Sequence, residues 1–104
     1  MAQTLFQLLQ TLGIPAAYSH FRGPDVPEKP PYIVYIGDGQ DNFDADNTHY
    51  YRRNRYQIEY YFTGKNESIE AAIEDLLLDN GYLYEKSEDV FIENEGVFVI
   101  YYTV

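Results

Sequence analysis

Between Asp38 and Asn47 the chain reads DGQDNFDADN, with four aspartates and two asparagines in ten residues. Oxygen donors at this density are what a hard cation such as calcium prefers. An EF-hand loop needs oxygen ligands at positions 1, 3 and 5, glycine at position 6 and a bidentate glutamate at position 12. Counted from Asp38, position 6 is Phe43; counted from Asp44, position 6 is His49 and position 12 is Arg55. Neither register works, so no metal site is expected. Asn, Asp and Gly are also the residues that turns select, because they hydrogen-bond the local backbone and tolerate left-handed geometry. The stretch is therefore expected to be an acidic turn, with Phe43 as the anchor that pins the loop.

No other constellation points to catalysis. Ser19 and His20 are adjacent, and in extended chain such neighbours point to opposite faces, which separates a nucleophile from its base. His20 and His49 are the only histidines, each read as a surface or loop residue. There is no G-x-S-x-G, no glycine-rich phosphate loop and no H-E-x-x-H. Glu70, Glu74 and Asp75 read as the solvated face of a helix. The chain is expected to be no enzyme, with no catalytic residue, no cofactor and no metal.

One basic cluster remains. Tyr50, Tyr51, Arg52 and Arg53, with Arg55 just beyond, hold three of the seven positive charges within four residues. Such a strip suits a polar edge strand, whose charges discourage edge-to-edge pairing. It equally suits a contact surface, since tyrosine and arginine dominate interface hot spots. In a net-acidic protein a basic strip facing acidic neighbours favours self-association around a ring. Tyr101, in the aromatic closing strand, joins these five as a candidate subunit-interface residue.

Composition narrows the partners. The 104 residues suit a single domain spanning 1–104. Cysteine is absent, so neither a disulfide framework nor a thiolate metal site is available. The opening MAQTLFQLLQTLG lacks the basic region and long apolar core of a signal peptide. No window reaches the ~20 apolar residues that span a bilayer. A soluble, cytosolic protein with no membrane partner is expected. Seventeen acidic against seven basic residues leave a net charge of -10. Binding nucleic acid by phosphate neutralisation needs the opposite sign. The charge reads as a self-repelling surface, as a mimic of DNA, or as the lining of a passage to which DNA must not stick. Twelve tyrosines favour strands and interfaces alike.

The elements that would position these residues follow from periodicity. Residues 2 to 12 form a short helix with Leu5, Phe6, Leu8, Leu9 and Leu12 as a broad apolar stripe, ended by Gly13 and Pro15. A proline-rich connection precedes the strand from Tyr32 to Ile36, which Gly37-Asp38-Gly39 closes. Thr48 to Arg53 reads as a polar strand. From Tyr56 to Phe62 the alternation is clean, with Tyr56, Ile58, Tyr60 and Phe62 on one face and Gln57 and Glu59 on the other. Asn66 caps a helix whose apolar positions are Ile69, Ala72, Ile73, Leu76 and Leu77, and Asn80-Gly81 stops it. A hairpin completes the chain. Its first arm runs from Tyr82 to Ile92 and is interrupted near Ser87, its turn is Glu93 to Gly96, and its second arm, Val97 to Val104, is apolar on both faces and so covered on both sides or central. The order α-β-β-β-α-β-β predicts an α+β fold, an antiparallel-rich sheet with two helices packed on one face.

Taken along the chain, GIPAAYSHF, PPYIVY, NFDADNTHYYRRNRYQIEYY, an amphipathic helix ending in glycine, YEKSEDVFIENEG and an aromatic closing strand resemble a known group. They are similar to the small structural proteins of the head-to-tail region of long-tailed phages and prophages, of tail-terminator or tail-completion type. The resemblance covers nearly the whole chain, and F-x-A-D-N-x-x-Y from Phe43 to Tyr50 and the segment Tyr84 to Glu93 are its most specific parts. It implies a ring, usually hexameric, at the head-tail junction of the virion, assembled in the host cytoplasm. Its partners would be further copies of itself, the tail tube and head connector proteins, with DNA passing through rather than binding. An acidic lumen would let the duplex slide. A head-closure or other connector component shares this size and pattern. Two other classes compete: an acidic DNA mimic that inhibits a DNA-binding protein, and a small binder of another protein through its tyrosine-rich sheet.

Overall fold

The computed structural model describes residues 4–23, 27, 29–45 and 49–104, with the side chains of residues 41–45 and 49–53 outside the description. Its first helix, α1 (Leu5–Gln10), opens with a capping box. The Thr4 side chain accepts from the Gln7 amide at 3.2 Å while the Gln7 side chain accepts from the Thr4 amide at 2.9 Å, pairing two backbone donors that a helix start leaves over. Leu5, Leu8 and Leu9 are its buried side.

Six strands form the sheet: β1 (Ala16–Tyr18), β2 (Tyr32–Ala45), β3 (His49–Phe62), β4 (Glu85–Lys86), β5 (Val90–Ile92) and β6 (Val97–Thr103). Their order is β1-β2-β3-β6-β4, with β5 also on β6. Every pairing is antiparallel except that of β1 with β2. The second helix, α2 (Glu67–Asp79), follows β3. Asn66 caps it by accepting from the Ser68 and Ile69 amides at 3.1 and 3.2 Å. Gly81, at φ 84°, closes it in a Schellman motif, with Tyr82 N–H bonded to the Leu77 carbonyl at 2.8 Å and Gly81 N–H to that of Leu78 at 3.2 Å.

The fold is α+β, and both helices pack on one face of the sheet. Leu5 and Leu9 of α1 and Ile73 and Leu77 of α2 share a core with Ile33 and Tyr35 of β2, Ile58, Tyr60 and Phe62 of β3, and Ile100 and Tyr102 of β6. The alternation expected of β3 is observed. β6 runs in the sheet interior between β3 and the β4–β5 pair. Ile100 and Tyr102 are buried against the helices, and Val97 and Val99 are buried on the other face, which is why this strand is apolar on both sides.

Several boundaries differ from the sequence reading: α1, expected to reach residue 12, ends at Gln10, and the arm expected from Tyr82 to Ile92 holds strand only at Glu85–Lys86 and Val90–Ile92. Ala16–Tyr18, to which the sequence reading assigned no element, pairs in parallel with Ile33–Tyr35. The two strands expected from Thr48 to Arg53 and from Tyr56 to Phe62 are one continuous β3. The acidic stretch, as far as Ala45, is no turn either. Asp38–Ala45 continue β2, and the register runs to Ala45 opposite His49. Residues 46–48, between them, lie outside the description.

Candidate subunit interface

The β2–β3 ribbon is the longest feature of the molecule. Fourteen residues per strand span about 45 Å at ~3.3 Å per residue, which matches the 50 Å long axis of a body 28 by 24 Å in section. The lower half of the ribbon is flanked: β1 covers Ile33 to Tyr35, and β6 pairs with Gln57 to Phe62. A last backbone link ties Tyr56 to Val104, at 3.3 and 3.0 Å. Beyond Gly37 and Tyr56, among the described residues, each strand pairs its backbone only with the other. The upper half is thus a two-stranded arm.

A bulge marks its base. Gly37 pairs with Tyr56 and Gln40 with Asn54, so Asp38 and Gly39 together face Arg55. The extra residue is accommodated by Gly39 at φ 84°, a conformation that costs a residue with a Cβ about 1 kcal/mol. Glycine-aspartate-glycine, which punctuates a strand in most sequences, here bends one. The Tyr18 hydroxyl accepts from the Gly37 amide at 3.3 Å and its ring meets Tyr35 edge-on at 5.1 Å, bracing the base from β1. Above the bulge, Gln40 Nε2 donates to Asn54 Oδ1 at 2.8 Å.

The candidate interface residues divide between arm and body. Tyr50, Tyr51, Arg52 and Arg53 lie on the arm in β3, opposite Asp44, Phe43, Asn42 and Asp41. Their side chains, and that of Phe43, are outside the description; the backbone of Phe43 lies in β2, and the anchoring expected of its side chain falls outside the described residues. Arg55, half-buried, sits at the bulge. Tyr101 is separate, on β6 opposite Glu59, half-buried on the sheet face that turns away from the helices.

That open face carries a second feature. Tyr32 and Tyr61, cross-strand partners, stack at 5.0 Å, and Phe21 meets Tyr32 edge-on at 5.7 Å. Tyr61 donates its hydroxyl to Glu59 Oε1 at 2.6 Å. Burial, with the Glu59 bond next, holds the Tyr61 hydroxyl above its ordinary range, and burial with the nearby Glu95 carboxylate does the same for Tyr32.

On the opposite face, between α2 and the end of the sheet, lies an ionic cluster that the sequence reading missed. Glu70 and Glu74 were expected on a solvated helix face, yet Glu70 is buried and Glu74 partly so. Lys65 straddles the Glu70 carboxylate, 3.0 Å from Oε1 and 2.8 Å from Oε2, the latter off the hydrogen-bond direction. Lys86 lies 3.0 Å from Glu70 Oε1 and 2.9 Å from Glu74 Oε2. Glu74 also accepts from the Tyr102 hydroxyl at 2.8 Å and that of Tyr84 at 3.2 Å. Partial burial pushes Glu74 up, but Lys86 and Tyr102 outweigh it and its carboxyl ends below the usual range. This cluster fastens β4 to α2 and consumes two carboxylates of that helix.

Ser19 and His20 also differ from expectation. Ser19 adopts φ 67°, in a tight γ-turn closed by His20 N–H to the Tyr18 carbonyl at 2.7 Å. The turn brings His20 Nδ1 to 3.2 Å from Ser19 Oγ, where extended chain would have parted them. Both are exposed, and among the described residues no carboxylate hydrogen-bonds the far ring nitrogen, the group that would orient such a base. Nor do the described residues include a cluster of three His, Cys, Asp or Glu able to hold a metal, or a helix long and apolar enough to cross a membrane.

No family model, no curated protein and no solved structure matches the chain.

Proposed function

We propose that the chain is a virion structural subunit of the head-to-tail region of long-tailed phages, of tail-terminator or tail-completion type, which acts by assembling into a ring rather than by catalysis. The observation that carries the reading is the two-stranded arm. An isolated ribbon is marginally stable in water, and one held out from a body of this size gains its stability from what it lies against. In a ring, each arm lies on the next subunit. The tyrosines and arginines of β3 are the residue types that interfaces favour. The net charge of -10 suits a lumen along which DNA moves without adhering. A head-closure component built the same way would use the arm alike. The DNA-mimic alternative loses ground on α2, where Glu70 and Glu74 are spent on internal ion pairs and cannot imitate phosphates.

The test is the mass in solution, by light scattering after size exclusion, across a wide concentration range and at low and high salt. A companion variant replaces residues 38–55 by Asn-Gly, joining Gly37 to Tyr56 through a tight hairpin turn. The full chain is expected to grow toward a ring, in a salt-sensitive way, while the armless variant folds and stays monomeric. A full chain that is monomeric throughout overturns the self-assembly reading.

A further inference from the structure

The open sheet face holds a groove of about 270 Å³ lined by Phe21, Tyr32, Tyr61, Val34, Glu59 and Glu95, with Ser19, His20 and Pro27 along its rim. Its walls are aromatic. Tyr32 and Tyr61 stack, Phe21 meets Tyr32 edge-on, and buried Val34 contributes apolar surface. Glu59 and Glu95 add two carboxylates to its lining. Glu59 commits one oxygen to Tyr61, and Lys65 and Lys86 spend their charge in the cluster on the opposite face. Flat rings beside carboxylates are the surroundings a guanidinium favours, because it stacks on aromatic faces and bonds carboxylates in a fork.

We infer that this groove is a socket for an arginine side chain, and that its occupant is the arm of a neighbouring copy, which inserts Arg52 or Arg53. The inference rests on the self-assembly reading and adds to it the receiving site. Charge complementarity selects the occupant. Arg52 and Arg53 are adjacent on the arm, whereas Lys65 and Lys86 are held within the body by Glu70, Glu74 and Asp89. The β3 strand of the arm, with Arg53 across from Asp41 of β2, is thus the one cluster of positive charge in the sequence, and the groove joins two carboxylates to three aromatic rings. The two lie at different places on the chain, as a contact that passes from one copy to the next around a ring requires.

The test uses a fluorescently labelled peptide of residues 48–57, THYYRRNRYQ, titrated by anisotropy against the full-length protein, against E59Q/E95Q, and with a second peptide carrying glutamine in place of Arg52 and Arg53. The amide that E59Q introduces can still accept from Tyr61, and urea unfolding of the variant verifies that its fold is retained. The peptide is expected to bind the native protein, to bind E59Q/E95Q about tenfold or more weakly, and to lose affinity likewise when its arginines are replaced. No binding, or equal binding to protein and variant, overturns the socket. Light scattering on the same samples reads assembly separately. A ring whose formation ignores E59Q/E95Q sinks the socket and leaves the self-assembly reading standing, whereas a native chain that binds the peptide through Glu59 and Glu95 yet never assembles sinks the second-copy occupant along with that reading.

Discussion

Lys86 reaches Glu70 from the strand side, its ammonium 3.0 Å from Oε1 of a carboxylate only 4% exposed. Lys65 reaches the same carboxylate from the helix start. Either lysine alone leaves Glu70 with a counter-ion, and removing both leaves a buried charge with none. K65M and K86M are therefore each expected to cost about 1 kcal/mol or less, since both lysines are about a third exposed or more and water screens them. The double variant is expected to exceed the sum of the two by more than about 0.5 kcal/mol. Urea unfolding of the four proteins measures the coupling; additivity would mean that water reaches Glu70.

The pH dependence follows from the same cluster. Glu74 is depressed in the folded state, so the unfolded chain binds its proton more readily. Its contribution is present above the ordinary carboxyl range and lost as pH falls through the folded value. Lys65 is raised chiefly by its hydrogen bond to Glu70, and Lys86 chiefly by its bond to Glu74. Their contribution is complete below the ordinary lysine value and fades as pH climbs through the folded one. Urea midpoints measured from about pH 3 to about pH 8 should fall on the acid side, and E74Q should flatten that limb. An unchanged acid limb in E74Q would assign acid sensitivity to other carboxylates.

Two buried tyrosines make opposite predictions. The Tyr60 ring is fully buried and its hydroxyl has no hydrogen-bond partner among the described residues. The Tyr102 ring is equally buried, but its hydroxyl donates to Glu74. Y60F deletes a polar group that is desolvated without return and is expected to be neutral or stabilising by up to about 1 kcal/mol. Y102F removes a donor to a carboxylate and is expected to cost about 1–2 kcal/mol. Thermal or urea unfolding ranks the pair, and a destabilised Y60F would point to a water on that hydroxyl.

How far the sequence disclosed all this depends on range. The Asn66 cap, the Asn80-Gly81 stop and the alternation of β3 are local, and each is read within a few residues. Glu70 was legible too: it sits three and seven residues before Ile73 and Leu77, on the buried stripe of α2, so its position in the period outweighs its charge. β1 was not legible, because Ala16–Tyr18 is too short to show a pattern and its strand identity comes from a partner seventeen residues on. The arm was hidden by Gly37-Asp38-Gly39. In a strand such residues signal a stop or a bulge alike, and only the register with β3 decides between them. The groove on the open face joins residues from 19 to 95 that no spacing connects.

The arm itself makes the last prediction. Residues Gln57 to Tyr61 of β3 are flanked on both sides, by β2 and β6, whereas those from Tyr50 to Asn54 lie in a two-stranded ribbon. Opening the ribbon exposes none of the described core, so it needs far less free energy than global unfolding. In dilute solution the amides of the arm should exchange with deuterium about a hundredfold or more faster than those of Ile58 and Tyr60. G39V adds a branched side chain at φ 84° and should speed exchange in the arm while leaving the urea midpoint of the body unchanged, because the strain falls on the ribbon alone. On the proposed self-assembly, the difference between arm and body should shrink with rising concentration as neighbours cover the ribbon. Equal protection of arm and body in a dilute monomer would show that the ribbon is stable by itself, and would remove the physical reason for a partner to lie against it.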